Sequence, residues 1–230
     1  METTAGEQSL FTGSLAPAGL PALSPEVIRI LAVDDHPVFR AGLSSLVANE
    51  RDMQIVGEAA DGREAIAQYH ALRPDVILLD LQMPEVNGIE VIEAIRERYL
   101  SARIIVLTTY AGDVLAQRAL KAGAQGYVLK GMIRKDLLDT IRAVYKGLKR
   151  IHSEVAAQLA NHLGDEVVSD REVEVLRLVA RGNSNKRVAA FLSISEETAK
   201  GHVKSLLAKL GATDRTHAVT LGLMRGIFFL

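Results

Sequence analysis

The sequence predicts an α/β doubly wound domain built on a five-stranded parallel sheet, followed by a small all-α unit of four helices. Three observations predict this. Val- and Ile-rich runs alternate five times with stretches of helical periodicity through the first two thirds of the 230 residues. Beyond Val168 the strand-like runs stop and short helical patterns take over. Charge changes sign at the same place: from Val168 onward there are 10 Lys and Arg against 6 Asp and Glu, whereas the preceding residues hold 17 against 22. An acidic front and a basic back point to two units with different partners.

Taken in order, residues 1–25 are rich in Gly, Ala, Pro, Ser and Thr and lack the basic start of a secretory signal, so they are expected to be a disordered extension. Strands are predicted at 27–33, 53–59, 76–80, 104–108 and 126–129, and helices at 38–48, 63–72, 89–98, 114–121 and 135–146. In the third helix Ile89, Ile92 and Ile95 recur at helical spacing with Glu90, Glu93, Arg96 and Glu97 between them. A strand such as "VILLD" is apolar on both faces, which fits a parallel sheet covered on both sides by its crossover helices. These elements define a domain at 26–147. A connector follows at 148–167, with a helix predicted at 154–163 and capped by Ser153.

The second domain, 168–230, opens on Ser169-Asp170-Arg171-Glu172, a capping box, and its first helix stops at Gly182-Asn183. Ser184 caps a short helix at 185–192, and the turn Ser193-Ile194-Ser195 leads into a longer one at 196–210, closed by Gly211. A fourth helix spans 214–225. Short helix, tight turn and longer basic helix is the layout of a helix-turn-helix. On the third helix Val203, Leu206, Leu207 and Leu210 form a core face, while Lys200, Lys204 and Ser205 project elsewhere, with His202 and Lys209 flanking. The absence of cysteine excludes disulfides and thiolate chemistry, and no apolar run approaches the ~20 residues of a membrane span.

The chemistry gathers at the strand ends. Asp34 and Asp35 close the first strand, Asp80 the third, Thr108 the fourth and Lys130 the fifth. In a doubly wound sheet the carboxyl ends of the strands line the ligand crevice. Singly, each residue has a plain explanation: an Asp caps a helix, a Thr ends a strand, a Lys is solvated. Three carboxylates together raise the cost of ionising one another. A hard cation offsets that cost, and Mg²⁺ is bound by one or two carboxylates with waters and a phosphate.

These residues carry a resemblance. "ILAVDDHP", "DVILLDLQMPEVNGIEVI", "IIVLTTY" and "AGAQGYVLK" resemble, in order and spacing, the flavodoxin-like receiver domain of bacterial two-component response regulators. The resemblance implies that Asp80 accepts a phosphoryl group from a sensor histidine kinase. It implies that Asp35 and Asp80 bind Mg²⁺ directly, that Asp34 acts mainly through water, and that the Gln82 carbonyl completes the set. Thr108 and Lys130 would hold phosphoryl oxygens, and Tyr127 would be the aromatic switch residue. Pro84 and Gly88 match the loop after the acceptor, whereas Gly131 stands where relatives carry Pro or Asp. Gln82 and Tyr110 would influence dephosphorylation.

The segments "REVEVLRLVARGNSNKRVA", "SISEETAKGHVKSLLAKLG" and "DRTHAV" resemble the LuxR/NarL-type output domain. That resemblance implies contacts to promoter DNA from Lys200, His202 and Lys204, with Thr198 near the backbone. Ala199 replaces a larger β-branched residue, and Gly201 interrupts the recognition segment at a cost of ~1 kcal/mol relative to Ala. The joined reading is a cytoplasmic, phosphorylation-controlled transcriptional regulator that is not a turnover enzyme and forms a homodimer when phosphorylated. The unmodified receiver would cover the recognition helix. An Asp-nucleophile phosphatase of the haloacid dehalogenase type would carry a second Asp two residues on, where this chain has Gln82. A receiver serving only as a phosphate-independent scaffold leaves the acidic set without a purpose.

Overall fold

The computed structural model describes residues 27–109, 112–162 and 164–228, with the side chains of 132–135 left aside. The expected extension at 1–25, Tyr110 and the last residue of the predicted connector helix lie outside the described residues. The first domain runs β1 (Ile28–Val33), α1 (Pro37–Ala48), β2 (Met53–Ala59), α2 (Gly62–Leu72), β3 (Val76–Asp80), α3 (Gly88–Arg98), β4 (Ile104–Thr108), α4 (Asp113–Ala122), β5 (Gly126–Leu129), a 3₁₀ turn (Lys130–Met132) and α5 (Ile133–Tyr145). Then come β6 (Arg150–Ile151) and α6 (Ser153–Asn161), followed by α7 (Asp170–Ala180), α8 (Asn185–Leu192), α9 (Glu196–Leu210) and α10 (Arg215–Met224).

The sheet is parallel throughout, in the order β2-β1-β3-β4-β5-β6. It therefore has six strands, not the expected five. The connector supplies the sixth: Arg150 and Ile151 pair with Gly126 and Tyr127 along the free edge of β5. Two residues carry no periodicity, and what makes them a strand is the unpaired edge they meet. The connector helix is also corrected by one residue. Ser153 is its first helical residue, and the cap is His152, whose Nδ1 accepts from the Glu154 N–H at 3.3 Å.

Alternate residues of the strands face opposite layers. Leu31, Val33, Ile77, Leu79, Ile104 and Val106 pack with α2, α3 and α4, and Val155 of α6 joins them. Ile30, Ala32, Leu78, Ile105 and Leu107 pack with α1 and α5. A fully buried Leu or Ile contributes roughly 1.5–3 kcal/mol, so this double layer fixes the strand tips rigidly. A third core unites Val175, Leu176, Val188, Ala199, Leu206 and Ala218, with Ile227 and Phe228 closing it and Val114 of α4 packed against it. The two domains thus share an apolar contact.

Within the third core one carboxylate is buried. Glu172 accepts from Ser205 Oγ at 2.6 Å, from Lys209 Nζ at 2.9 Å and from the Ser169 N–H at 2.7 Å. Ser205, expected to project away from the core face, is held instead by this carboxylate, and Lys209, expected to flank that face, reaches the same group. Burial raises the Glu172 carboxyl, but Lys209, Ser205 and Ser169 outweigh it and hold it at about 2. The stabilisation is complete above the ordinary value of 4.5 and is lost as pH falls toward about 2. Glu172→Gln is expected to cost the helical domain about 2–3 kcal/mol at neutral pH. Urea unfolding read by hydrogen exchange in α7 and α9 checks this, and the gap to wild type should narrow by pH 3.

Candidate functional site

The strand order reverses between β1 and β3, and the crevice opens at their carboxyl ends. Asp34 and Asp35 follow β1 and Asp80 ends β3, so topology brings the three together. Carboxylate oxygens of all three, with a ring nitrogen of His36, lie within 4.8 Å of one another. Asp34 and Asp80 are buried, and Asp35 is partly exposed at the mouth. Lys130, immediately after β5, places Nζ 2.6 Å from Asp34 Oδ2 and 2.8 Å from Asp80 Oδ2. The ring of Phe39 lies beside the same ammonium, 4.6 Å from Nζ.

Local backbone sets these positions. The His36 N–H donates to Asp34 Oδ1 at 2.9 Å, and the Gln82 N–H to Asp80 Oδ1 at 3.2 Å. The start of α3 presses on the end of β3: a Cβ at Gly88 would sit 2.5 Å from the Asp80 carbonyl oxygen. Only glycine lets the loop after Asp80 close this tightly. Gly131 meets no such demand, since a Cβ there would find open space. Thr108 is buried at the end of β4, and Tyr127 is buried in β5.

Burial pushes the Asp80 carboxyl above its ordinary value, against the pull of Lys130 and the Gln82 N–H, and Asp34 adds to the rise. Burial lowers the Lys130 ammonium, but the two carboxylates outweigh it and hold it above the usual range. Burial, with a smaller contribution from Asp80, pushes the Tyr127 hydroxyl well up, so it stays neutral. Asp34 Oδ2 and Asp35 Oδ1 are buried, the first against the Lys130 ammonium and the second against the His36 ring nitrogen, each at 2.6 Å. Such atoms are costly unless a cation meets them. Three carboxylates this close carry more negative charge than the one Lys130 ammonium offsets, and such an oxygen-rich set fits a hard divalent ion such as Mg²⁺.

His36 stands at the N-cap of α1, but its side chain makes no cap hydrogen bond. Its Nδ1 lies 2.6 Å from Asp35 Oδ1 and 3.3 Å from Asp34 Oδ1. Its adjacency to two aspartates was the one available signal.

On the second domain, Thr198, Lys200 and Lys204 are exposed on α9, and His202 is partly buried. Lys200 lies 3.7 Å from both Glu196 and Glu197. The expectation that the receiver covers this helix is corrected, because those faces are open. The first domain holds the end of α10 instead. Arg225 forks onto Asp113, with Nε 3.0 Å from Oδ1 and Nη2 2.8 Å from Oδ2, and its Nη1 reaches Asp165 at 2.9 Å. The Val114 N–H donates to the Arg225 carbonyl at 3.2 Å. A Cβ at Gly112 would lie 2.4 Å from the Arg225 carbonyl carbon, so the two backbones touch.

Residues 30–142 match the family described as response regulator receiver domain, and residues 166–221 match bacterial regulatory proteins, luxR family. The response regulator protein VraR of Staphylococcus aureus is 38% identical over 197 residues, spanning 84% of this chain and 94% of that protein. Among solved structures, the response regulator ChrA of a heme-sensing two-component system is similar at 35% identity and a TM-score of 0.54, covering 88% of this chain and 100% of that one. The response regulator RcsB in complex with DNA is similar at 28% identity and a TM-score of 0.65, covering 86% and 98%.

Proposed function

The chain belongs to the response regulators that join a receiver domain to a LuxR-type output domain, and from that premise we propose that Asp80 is its phosphoacceptor. The single observation that supports this best is the Asp34–Lys130–Asp80 bridge at the topological switch point, with the Asp35 carboxylate beside it. An Asp80 carboxylate oxygen bonds to phosphorus as the P–N bond of a kinase phosphohistidine breaks. The departing imidazole keeps the bonding pair and takes up a proton. Mg²⁺, held by Asp34, Asp35, Asp80 and the Gln82 carbonyl, would supply charge neutralisation to the transferring group. Lys130 orients the phosphoryl oxygens beside Thr108, and Tyr127 follows Thr108 as it moves. The chain is thus a switch that turns over only its own aspartyl phosphate.

The proposed boundaries are an extension at 1–25, a receiver at 26–147, a linker at 148–167 and a DNA-binding domain at 168–230. The capping box at Ser169 and the separate third core support the last boundary. Thr198, Lys200, His202 and Lys204 would meet promoter DNA, and two phosphorylated copies would bind a two-fold related site. Among the described residues no helix is long and apolar enough to cross a membrane, and the cytoplasm is the proposed location.

DNA recovered from a genomic pool, with and without phosphoramidate treatment, tests the reading. Treated wild type should enrich discrete sites, with an affinity gain of about tenfold. Lys130→Ala should still accept phosphate at Asp80 yet lose most of that gain, because the group that senses the phosphoryl oxygens is gone. Equal enrichment by treated and untreated wild type would overturn phosphate control.

A further inference from the structure

The recognition helix has a glycine that its own fold does not explain. Gly201 lies inside α9 with no positive φ, and a Cβ there would meet nothing within 4 Å. Alanine would favour the helix more, so glycine weakens α9 without a packing return. Its position is specific. Glu197, Gly201, Lys204 and Ala208 form one exposed stripe, opposite the buried Ala199, Leu206 and Leu210. Gly201 leaves a notch in this stripe between the long side chains of Glu197 and Lys204, with Thr198 and Lys200 to either side. A partner can therefore approach the helix backbone itself at Gly201.

The chemistry of the notch limits what enters it. Mid-helix amides and carbonyls are used in the helix's own hydrogen bonds, so Gly201 presents only Cα–H, an apolar surface. In the major groove the apolar protrusion on a base edge is the thymine C5-methyl group. Resting on the DNA-binding reading above, we propose that Gly201 is a specificity-determining position that receives a thymine methyl from the groove floor. The missing side chain then selects a base, and lets α9 sit deep enough for Lys200 and Lys204 to reach their own contacts.

The full-length, phosphoramidate-treated chain is used to enrich a duplex from random DNA, and each thymine in it is replaced by deoxyuridine in turn. Wild type should lose about fourfold in affinity at one thymine per half-site, the worth of one buried methyl group. Gly201→Val should bind the same duplex about tenfold more weakly, since it overfills the notch, and should be indifferent to deoxyuridine at that thymine. Gly201→Ala should melt higher than wild type yet bind more weakly, and that opposition separates recognition from folding. Wild-type affinity and an unchanged deoxyuridine profile in both variants would overturn the proposal. If wild type enriches no duplex, the DNA-binding reading fails first and the inference falls with it.

Discussion

Asp80→Asn, incubated with Mg²⁺ and phosphoramidate, stays unphosphorylated, while wild type gains one phosphoryl group per chain by intact mass. The amide has no anionic oxygen to attack phosphorus. Asp34 is no substitute, because it is buried, with one oxygen taken by the His36 N–H and the other beside Lys130. Asp35 is the more exposed neighbour and the only rival acceptor among the three. Peptide mapping of any residual phosphate on Asp35 would move the acceptor and overturn the assignment. The variant should fold: burial already holds the Asp80 carboxyl above its ordinary range, so a neutral amide of the same shape is not penalised there. Its Lys130 still has Asp34. DNA binding by Asp80→Asn should match that of untreated wild type and gain nothing from the phosphodonor.

How much of this is legible in the sequence depends on how local the cause is. The strand tips are local: "VILLD" ends in Asp80 by its own apolar run, and the sheet's topology then brings Asp34, Asp35 and Lys130 to it. Caps are local too, and Ser169, Ser184 and Ser195 each accept from an N–H three residues on. Other features have remote causes. β6 exists because β5 has a free edge, which two residues of sequence do not advertise. Helical periodicity places Ser205 and Lys209 beside the core face of α9 but is silent on Glu172, more than thirty residues away. Asp113 and Arg225 are farther apart still, and nothing near either one names the other.

That remote pair yields the other large effect. Arg225→Ala should raise the DNA affinity of the unphosphorylated chain about tenfold, close to that of phosphorylated wild type. Asp113 is buried and Arg225 partly buried, and a bidentate guanidinium–carboxylate pair is among the stronger contacts a domain interface can hold. Truncating one side leaves the other charge buried and unpaired, which costs about 3–5 kcal/mol of the closed form. The loss is therefore felt by the closed arrangement and not by either domain core. Asp113 opens α4 a few residues beyond Thr108, and Gly112 lies against the Arg225 backbone, so a movement at the end of β4 would have a short way to go to reach the fork. Because Thr198, Lys200 and Lys204 are already exposed, opening does not uncover a reading face. On the proposed reading it would instead free the output domain to turn toward a second copy on a two-fold site. Dimeric occupancy in a gel-shift titration is thus the readout. Asp113→Asn should act in the same direction, and combining it with Arg225→Ala should add little, since both remove one interaction. If Arg225→Ala still needs the phosphodonor as much as wild type does, the fork is only a domain contact and control lies elsewhere.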